Sequence, residues 1–146
     1  MLLYNLVMEH EENISIVLSC IDYRFWPDAL PKLEKKFGTF DLIELAGGSK
    51  NLASPASEAD RRAILESIQA SVGLHGAKQL ILTNHTDCGA YGGSEAFNSQ
   101  EDEIEFHQSE LKKAASIIRK TFPDLEVQRV IIALDDKNKI QLMKVP

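Results

Sequence analysis

The stretch NHTDCGAYGG, residues 84–93, places His85 and Cys88 three positions apart. The chain has four histidines and two cysteines, so two of its few soft metal ligands lie together here. The other cysteine, Cys20, lies sixty-five positions before His85, in the stretch SCIDYRF. Two thiolates and one imidazole form a ligand set that suits zinc. We therefore predict that Cys20, His85 and Cys88 bind Zn²⁺.

The three ligands leave one coordination position open. No second CxxC or HxxxH pattern completes a closed structural site. Catalytic zinc has this arrangement of three protein ligands and one open position. Zinc in such a site lowers the pKa of bound water to about 7, which makes hydroxide available as a nucleophile near neutral pH. The ligand set therefore predicts a centre that does chemistry.

Asp22 and Arg24 follow Cys20 at alternating positions. This spacing just beyond a strand brings the two side chains near the face on which Cys20 lies. Arginine holds a carboxylate through two parallel hydrogen bonds, so Arg24 is expected to fix the direction of Asp22. The carboxylate then either accepts a hydrogen bond from the hydroxide or becomes the fourth ligand. The alternative is a structural ion pair that only braces the loop.

Strand and helix patterns alternate along the chain. Four apolar runs lack strict alternation, which is typical of strands buried on both faces: residues 14–20, 40–48, 77–85 and 127–134. Amphipathic helices are predicted at residues 27–38, 57–74 and 101–122. Residues 130–145 read as two strands joined by a polar turn, hence a closing hairpin. The pattern predicts an α/β fold with a mainly parallel central sheet of four strands, an antiparallel C-terminal edge strand and flanking helices.

This fold decides where the chemistry lies. Ligands bind beyond the carboxyl ends of the strands in open α/β sheets. Cys20 ends the first predicted strand, Gly47 and Gly48 end the second, and His85 ends the third. The pattern therefore predicts that residues far apart in sequence meet at one edge of the sheet.

Length, composition and charge narrow the class of protein. A chain of 146 residues is expected to form one domain over residues 1–146, with residues 1–13 as a short N-terminal extension. The net charge of −6, with acidic and basic residues interspersed, argues against a nucleic-acid or anionic membrane partner. No apolar run approaches the roughly 18 residues of a membrane span. The first thirteen residues lack the basic start of a signal peptide, so we expect a cytoplasmic protein with cysteines that are thiols or metal ligands.

The motifs CIDYR at 20–24, AGG at 46–48 and HTDCG at 85–89 resemble those of the β-class carbonic anhydrases, over residues 14–144. The resemblance implies reversible hydration of carbon dioxide to bicarbonate and a homodimer or higher homo-oligomer with the active site near the subunit interface. The implied site residues are the zinc ligands Cys20, His85 and Cys88 and a catalytic dyad of Asp22 and Arg24. We also predict that Gly47 and Gly89 bind substrate. For Gly89 the physical reason is that glycine lets the backbone approach a bound ligand closely.

The chain departs from the family pattern at three positions near the site. Glu44 and Leu45 stand where the family has arginine and asparagine, and Asn84 stands in place of a glycine. Only thirteen residues precede Ile14, so we expect a reduced N-terminal arm. Two alternative functions follow: hydrolysis of carbonyl sulfide or carbon disulfide on the same site, or a catalytically silent zinc-binding domain.

Other interpretations of the same side chains stay open. Cys20 and Cys88 could be buried core thiols or a redox pair. His75 falls at a helix end and is expected to interact with the helix dipole. His107 falls one helical turn before Leu111, which favours packing or a surface position over a proton shuttle.

Overall fold

Five strands form one sheet in the computed structural model, which describes residues 13–146. The strands are Ser15–Ser19 (β1), Phe40–Glu44 (β2), Gln79–His85 (β3), Glu126–Leu134 (β4) and Ile140–Lys144 (β5). Their order across the sheet is β2-β1-β3-β4-β5. The first three pairings are parallel and the β4–β5 pairing is antiparallel. The predicted fold class is confirmed, including the antiparallel edge strand.

Four helices connect the strands: Trp26–Phe37 (α1), Lys50–Ala53 (α2), Glu58–His75 (α3) and Gln100–Thr121 (α4). The side chains of Ser57 and Ser99 cap α3 and α4 by accepting backbone N–H groups of their first turns. Helices α1, α3 and α4 lie where the sequence predicts them. The pattern misses the single turn of α2 and two 3₁₀ turns, Gly89–Tyr91 and Ser94–Ala96, because they are too short to show a period.

Both faces of the sheet are covered. In β1 the side chains of Ile16 and Leu18 face α3 and α4, whereas Val17 faces α1, and all three are fully buried. Leu33 of α1 packs in the cluster with Val17, and Ile68 of α3 packs in the cluster with Leu18. Burial on both faces is the physical reason that β1 has a continuous apolar sequence.

The second strand ends at Glu44, four residues before the end that the apolar run predicts. Gly47 and Gly48 form a turn instead, with φ angles of 88° and 52°. A Cβ atom on Gly48 would lie 2.8 Å from the carbonyl oxygen of Thr83, so only glycine lets this turn pack against β3. The turn brings the backbone of Gly47 to the carboxyl end of β1.

The predicted N-terminal extension, residues 1–13, lies outside the described residues except for Asn13. Within residues 13–146, no helix combines the length and the apolar character needed to cross a bilayer. A cytoplasmic location stays a prediction.

Candidate metal centre

The three predicted zinc ligands meet at one edge of the sheet. Cys20 directly follows β1, His85 ends the neighbouring β3, and Cys88 lies in the loop that follows. Their ligand atoms all lie within 4.8 Å of one another, and the residues are 8%, 2% and 3% exposed. The sheet topology therefore brings these residues together as the sequence predicts.

His85 presents one ring nitrogen that is ready to bind a metal. Its Nδ1 atom lies 2.7 Å from the carbonyl oxygen of Thr86. A carbonyl accepts only, so Nδ1 carries the proton and Nε2 keeps its lone pair. Nε2 is buried and makes no hydrogen bond to any described residue. The ring of Phe25 lies 4.2 Å from the imidazole, centroid to centroid, and holds its plane. A buried acceptor without a partner fits a metal ligand, because leaving it unpaired is unfavourable.

The two cysteines are free thiols and differ in their surroundings. The backbone N–H of Gly47 donates to Sγ of Cys20 at 3.3 Å. The side chain of Cys88 and the backbone N–H of Gly47 lower the pKa of Cys20 below its usual range. The neighbouring Cys20 sulfur and burial raise the pKa of Cys88. Cys20 is therefore the first of the two to be a thiolate, which is the form that binds zinc.

Arg24 binds Asp22 through one edge of its guanidinium group. Nη2 of Arg24 lies 2.7 Å from Oδ2 of Asp22, and Nε lies 3.0 Å from Oδ1. These bonds hold the pKa of the Asp22 carboxyl below its usual range, so the group is ionised at neutral pH. Oδ2 of Asp22 also lies 3.7 Å from Nε2 of His85. The Asp22 carboxylate therefore lies next to the position where the three ligands would bind a metal, and Arg24 holds the carboxylate in place.

Asp87 and Glu103 extend the hydrogen bonds of the Asp22–Arg24 pair, although the sequence did not predict them as site residues. Nη1 of Arg24 donates to Oδ2 of Asp87 at 2.8 Å. The backbone N–H of Asp87 donates to Oε1 of Glu103, a buried residue of α4, at 2.6 Å. The sequence feature that could have identified Asp87 is its position between the predicted ligands His85 and Cys88. For Glu103, the sequence pattern indicated only an acidic first turn that suits the helix dipole.

A buried polar cluster lies behind the ligands on the α4 side. His107 is fully buried, and its Nδ1 lies 3.3 Å from Nδ2 of Asn84. The hydroxyl of Tyr91 lies 3.4 Å from the same amide nitrogen and donates to Glu110. Burial lowers the pKa of His107, which favours the neutral ring. Of the two positions expected for His107, the structure therefore selects packing, and Asn84 joins β3 to α4.

The remaining predicted residues take the following places. Gly47 contacts Cys20 through its N–H, as described above, and Gly89 begins the 3₁₀ turn after Cys88. A Cβ atom on Gly89 would meet nothing within 4 Å, so its environment is open. Substrate binding by Gly47 and Gly89 stays a prediction. His75 ends α3, where its Nδ1 lies 2.6 Å from Oδ2 of Asp41.

The chain has sequence relatives that match most of its length. Two uncharacterized proteins, from Rickettsia conorii and Rickettsia bellii, are each 34% identical over 130 residues. The matches cover 85% of this chain, and 69% and 79% of those proteins respectively.

Solved structures share the fold. The carbonic anhydrase from Glaciozyma antarctica superposes with a TM-score of 0.61 at 16% identity, over 94% of this chain and 86% of that chain. One of two tetrameric β-carbonic anhydrases from Sordaria macrospora gives a TM-score of 0.61 at 15% identity, over 90% of this chain and 80% of that chain. The model of the family described as "Putative carbonic anhydrase" matches residues 10–144. The chain therefore belongs to this carbonic anhydrase family.

Proposed function

We propose that the protein is a Zn²⁺-dependent lyase that reversibly hydrates carbon dioxide to bicarbonate. Two observations support the proposal besides family membership. Two cysteines and one histidine converge within 4.8 Å. Nε2 of His85, buried and without a partner among the described residues, faces a carboxylate that arginine holds. The second observation carries the proposal, because a purely structural site has no need of a restrained carboxylate beside its ligands.

Each residue has a separate task in this proposal. Cys20, His85 and Cys88 would hold the metal, which when bound would supply the Lewis acidity that activates water near neutral pH. Thr86 fixes the His85 tautomer through its carbonyl oxygen. Asp22, ionised and oriented by Arg24, accepts a hydrogen bond from the O–H group of the reacting water. This bond aligns a lone pair of the water oxygen with the carbon of the substrate. Burial of the ligands excludes bulk water from their side of the site.

A stopped-flow indicator assay tests the proposal directly. Zinc-loaded protein is mixed with dissolved carbon dioxide, and the acidification rate is compared with that of buffer and of metal-stripped protein. We expect catalysis that rises with pH through neutrality, because the nucleophile forms near pH ~7. The assay is run from about pH 6 to about pH 9, which extends at least roughly one pH unit to either side of that value. Zinc-loaded protein that shows no catalysis anywhere in this range would contradict the proposal. Release of sulfide from carbonyl sulfide in the same samples would instead indicate the hydrolase alternative.

We further propose that the chain forms a homo-oligomer. Strand β2 is an edge of the sheet, and an edge strand presents unpaired backbone groups. Leu42 on this strand is 43% exposed, and Tyr23, in the loop that carries the dyad, is 78% exposed. The tetrameric β-carbonic anhydrase from Sordaria macrospora that was compared above shares the fold, which supports the same tendency here.

Light scattering at tens of micromolar, an order-of-magnitude working range for such an interface, tests the assembly. A symmetric dimer or a multiple of it is expected. A mass of 16.3 kDa across that range would be that of a single chain and would refute this expectation.

A further inference from the structure

Arg24 lies between two carboxylates. One edge of its guanidinium group binds Asp22, with Nη2 at 2.7 Å from Oδ2. The other edge faces Asp87, where Nη1 donates to Oδ2 at 2.8 Å and Nη2 donates to the backbone carbonyl oxygen at 2.9 Å. The guanidinium group is planar and rigid, so fixing one edge also fixes the direction of the other. The orientation of Asp22 therefore depends on Asp87 through Arg24.

Asp87 is itself fixed by two further hydrogen bonds, one of its side chain and one of its backbone. Its Oδ1 accepts the backbone N–H of Ser94 at 2.9 Å. Its own N–H donates to Oε1 of Glu103 at 2.6 Å, and Oε2 of Glu103 accepts the hydroxyl of Ser94 at 2.9 Å. Asp87 has a left-handed φ of 54°, a conformation that aspartate and asparagine tolerate better than most residues. Glu103 is 2% exposed and belongs to the long helix α4, so the anchor of Asp87 is part of the folded core.

The restraint matters because Asp22 is close to the metal position. Its Oδ2 lies 3.7 Å from Nε2 of His85, a separation shorter than the 4.8 Å limit within which the three ligand atoms lie. Asp22 is not a member of that ligand set within residues 13–146. A small rotation would let the carboxylate compete for the open position. The backbone N–H of Arg24 holds Oδ1 at 3.0 Å. Oδ2, the oxygen nearer to His85, is bound by the guanidinium group, and the two could turn together.

We propose that Asp87 is a positioning residue that anchors Arg24, so that Arg24 keeps Asp22 from binding the metal. Glu103 fixes the backbone from which Asp87 acts. The inference rests on the proposed zinc function, and it concerns residues of this chain rather than the ion. Asp87 supplies what a dyad of Asp22 and Arg24 lacks, which is a fixed point outside the dyad.

A double-mutant cycle in zinc affinity tests the inference. The dissociation constant for zinc is measured by competition with a chromophoric chelator for the full-length wild type, Asp87→Asn, Asp22→Asn and the double variant. Asp87→Asn keeps the shape and tolerates the left-handed backbone, but it loses the charge that holds Arg24. We expect it to tighten zinc binding roughly tenfold, within the range by which outer partners change metal sites, because Asp22 becomes a fourth ligand. In the Asp22→Asn background the same change should have no effect.

Two further variants keep the result interpretable. Asp87→Gly removes every side-chain contact without penalty at this φ, and it should reproduce the tightening. Asp135→Asn removes another carboxylate that accepts backbone N–H groups, those of Lys137 and Lys139 in the β4–β5 turn, and it should leave zinc affinity unchanged.

The opposite sign would overturn the inference. If Asp87→Asn weakens zinc binding equally with and without the Asp22 carboxylate, Asp87 only braces the ligand loop. If Asp87→Asn alone leaves the dissociation constant for zinc unchanged, the inference is wrong but the proposed zinc site is not affected. Wild-type protein that binds no zinc overturns the inference together with the proposed function.

Discussion

Replacing His85 with alanine is expected to remove most of the zinc and to abolish the proposed hydration activity. The change deletes the one uncharged ligand, whose Nε2 is buried and held in the metal-binding tautomer by Thr86. Wild-type protein purified without chelator should carry about one zinc per chain, since three ligands with one open position form a single site. His85→Ala and Cys20→Ser should each weaken zinc binding more than about 100-fold, beyond what loss of an outer partner causes. Metal analysis by mass spectrometry and chelator competition measure both quantities.

His75→Ala is the matched control for this experiment. His75 also lies beside a carboxylate, that of Asp41 at 2.6 Å, but it precedes β3 whereas His85 ends that strand. The His75 variant should keep its zinc. Full zinc occupancy in both His85→Ala and Cys20→Ser would show that the ion binds elsewhere.

Arg24→Ala is expected to lower the proposed hydration activity about 100-fold while zinc content stays nearly intact. The arginine makes no contribution to the ligand set, but it holds the carboxylate that borders the open position. Without it, Asp22 is free to occupy that position and to exclude the reacting water. The size of the loss is of the order seen when a positioned acid–base or outer partner is removed. The turnover number from stopped-flow traces and the zinc-to-protein ratio are measured on the same preparation.

Arg61→Ala serves as the control for removing an arginine–carboxylate pair. Arg61 binds Glu58 at 2.8 Å in the first turn of α3, so its loss should change neither quantity. If Arg24→Ala loses zinc, the arginine is a structural brace for the ligand loop. If the variant keeps both zinc and full activity, Arg24 has no part in the mechanism.

The fold can be predicted from the sequence because the central strands β1 and β3 are buried on both faces. The run ISIVLS alone indicates a buried parallel strand, and helix periods between such runs leave few alternatives. The apolar pattern places the end of β2 too late, because AGG continues the apolar composition of FDLIELAGG although its glycines turn the chain. Composition does not distinguish a strand end from a glycine turn that packs against a neighbouring strand.

The ligands and the dyad could be predicted, and the residues that orient them could not. Cys20, His85 and Cys88 belong to chemical types with few other uses, and Asp22 and Arg24 have a recognisable spacing. Glu103 is one of several acids at the start of α4, and nothing in their order marks the one that meets Asp87. The stacking of Phe25 on His85 depends equally on tertiary packing. Outer partners are set by how α4 and the loops approach, which local patterns do not encode.

Cys20 and His85 come from neighbouring strands, so a metal ion that binds both residues also affects the folding equilibrium. An ion held by both residues is a reversible cross-link that closes a loop of sixty-five positions, which contains α1, β2, α2, α3 and β3. The unfolded chain does not hold these side chains together, so the ion favours the folded state by mass action. Each tenfold rise in free zinc above the dissociation constant adds about 1.4 kcal/mol to the free energy of unfolding. The melting temperature of this protein should therefore report the zinc supply of its surroundings.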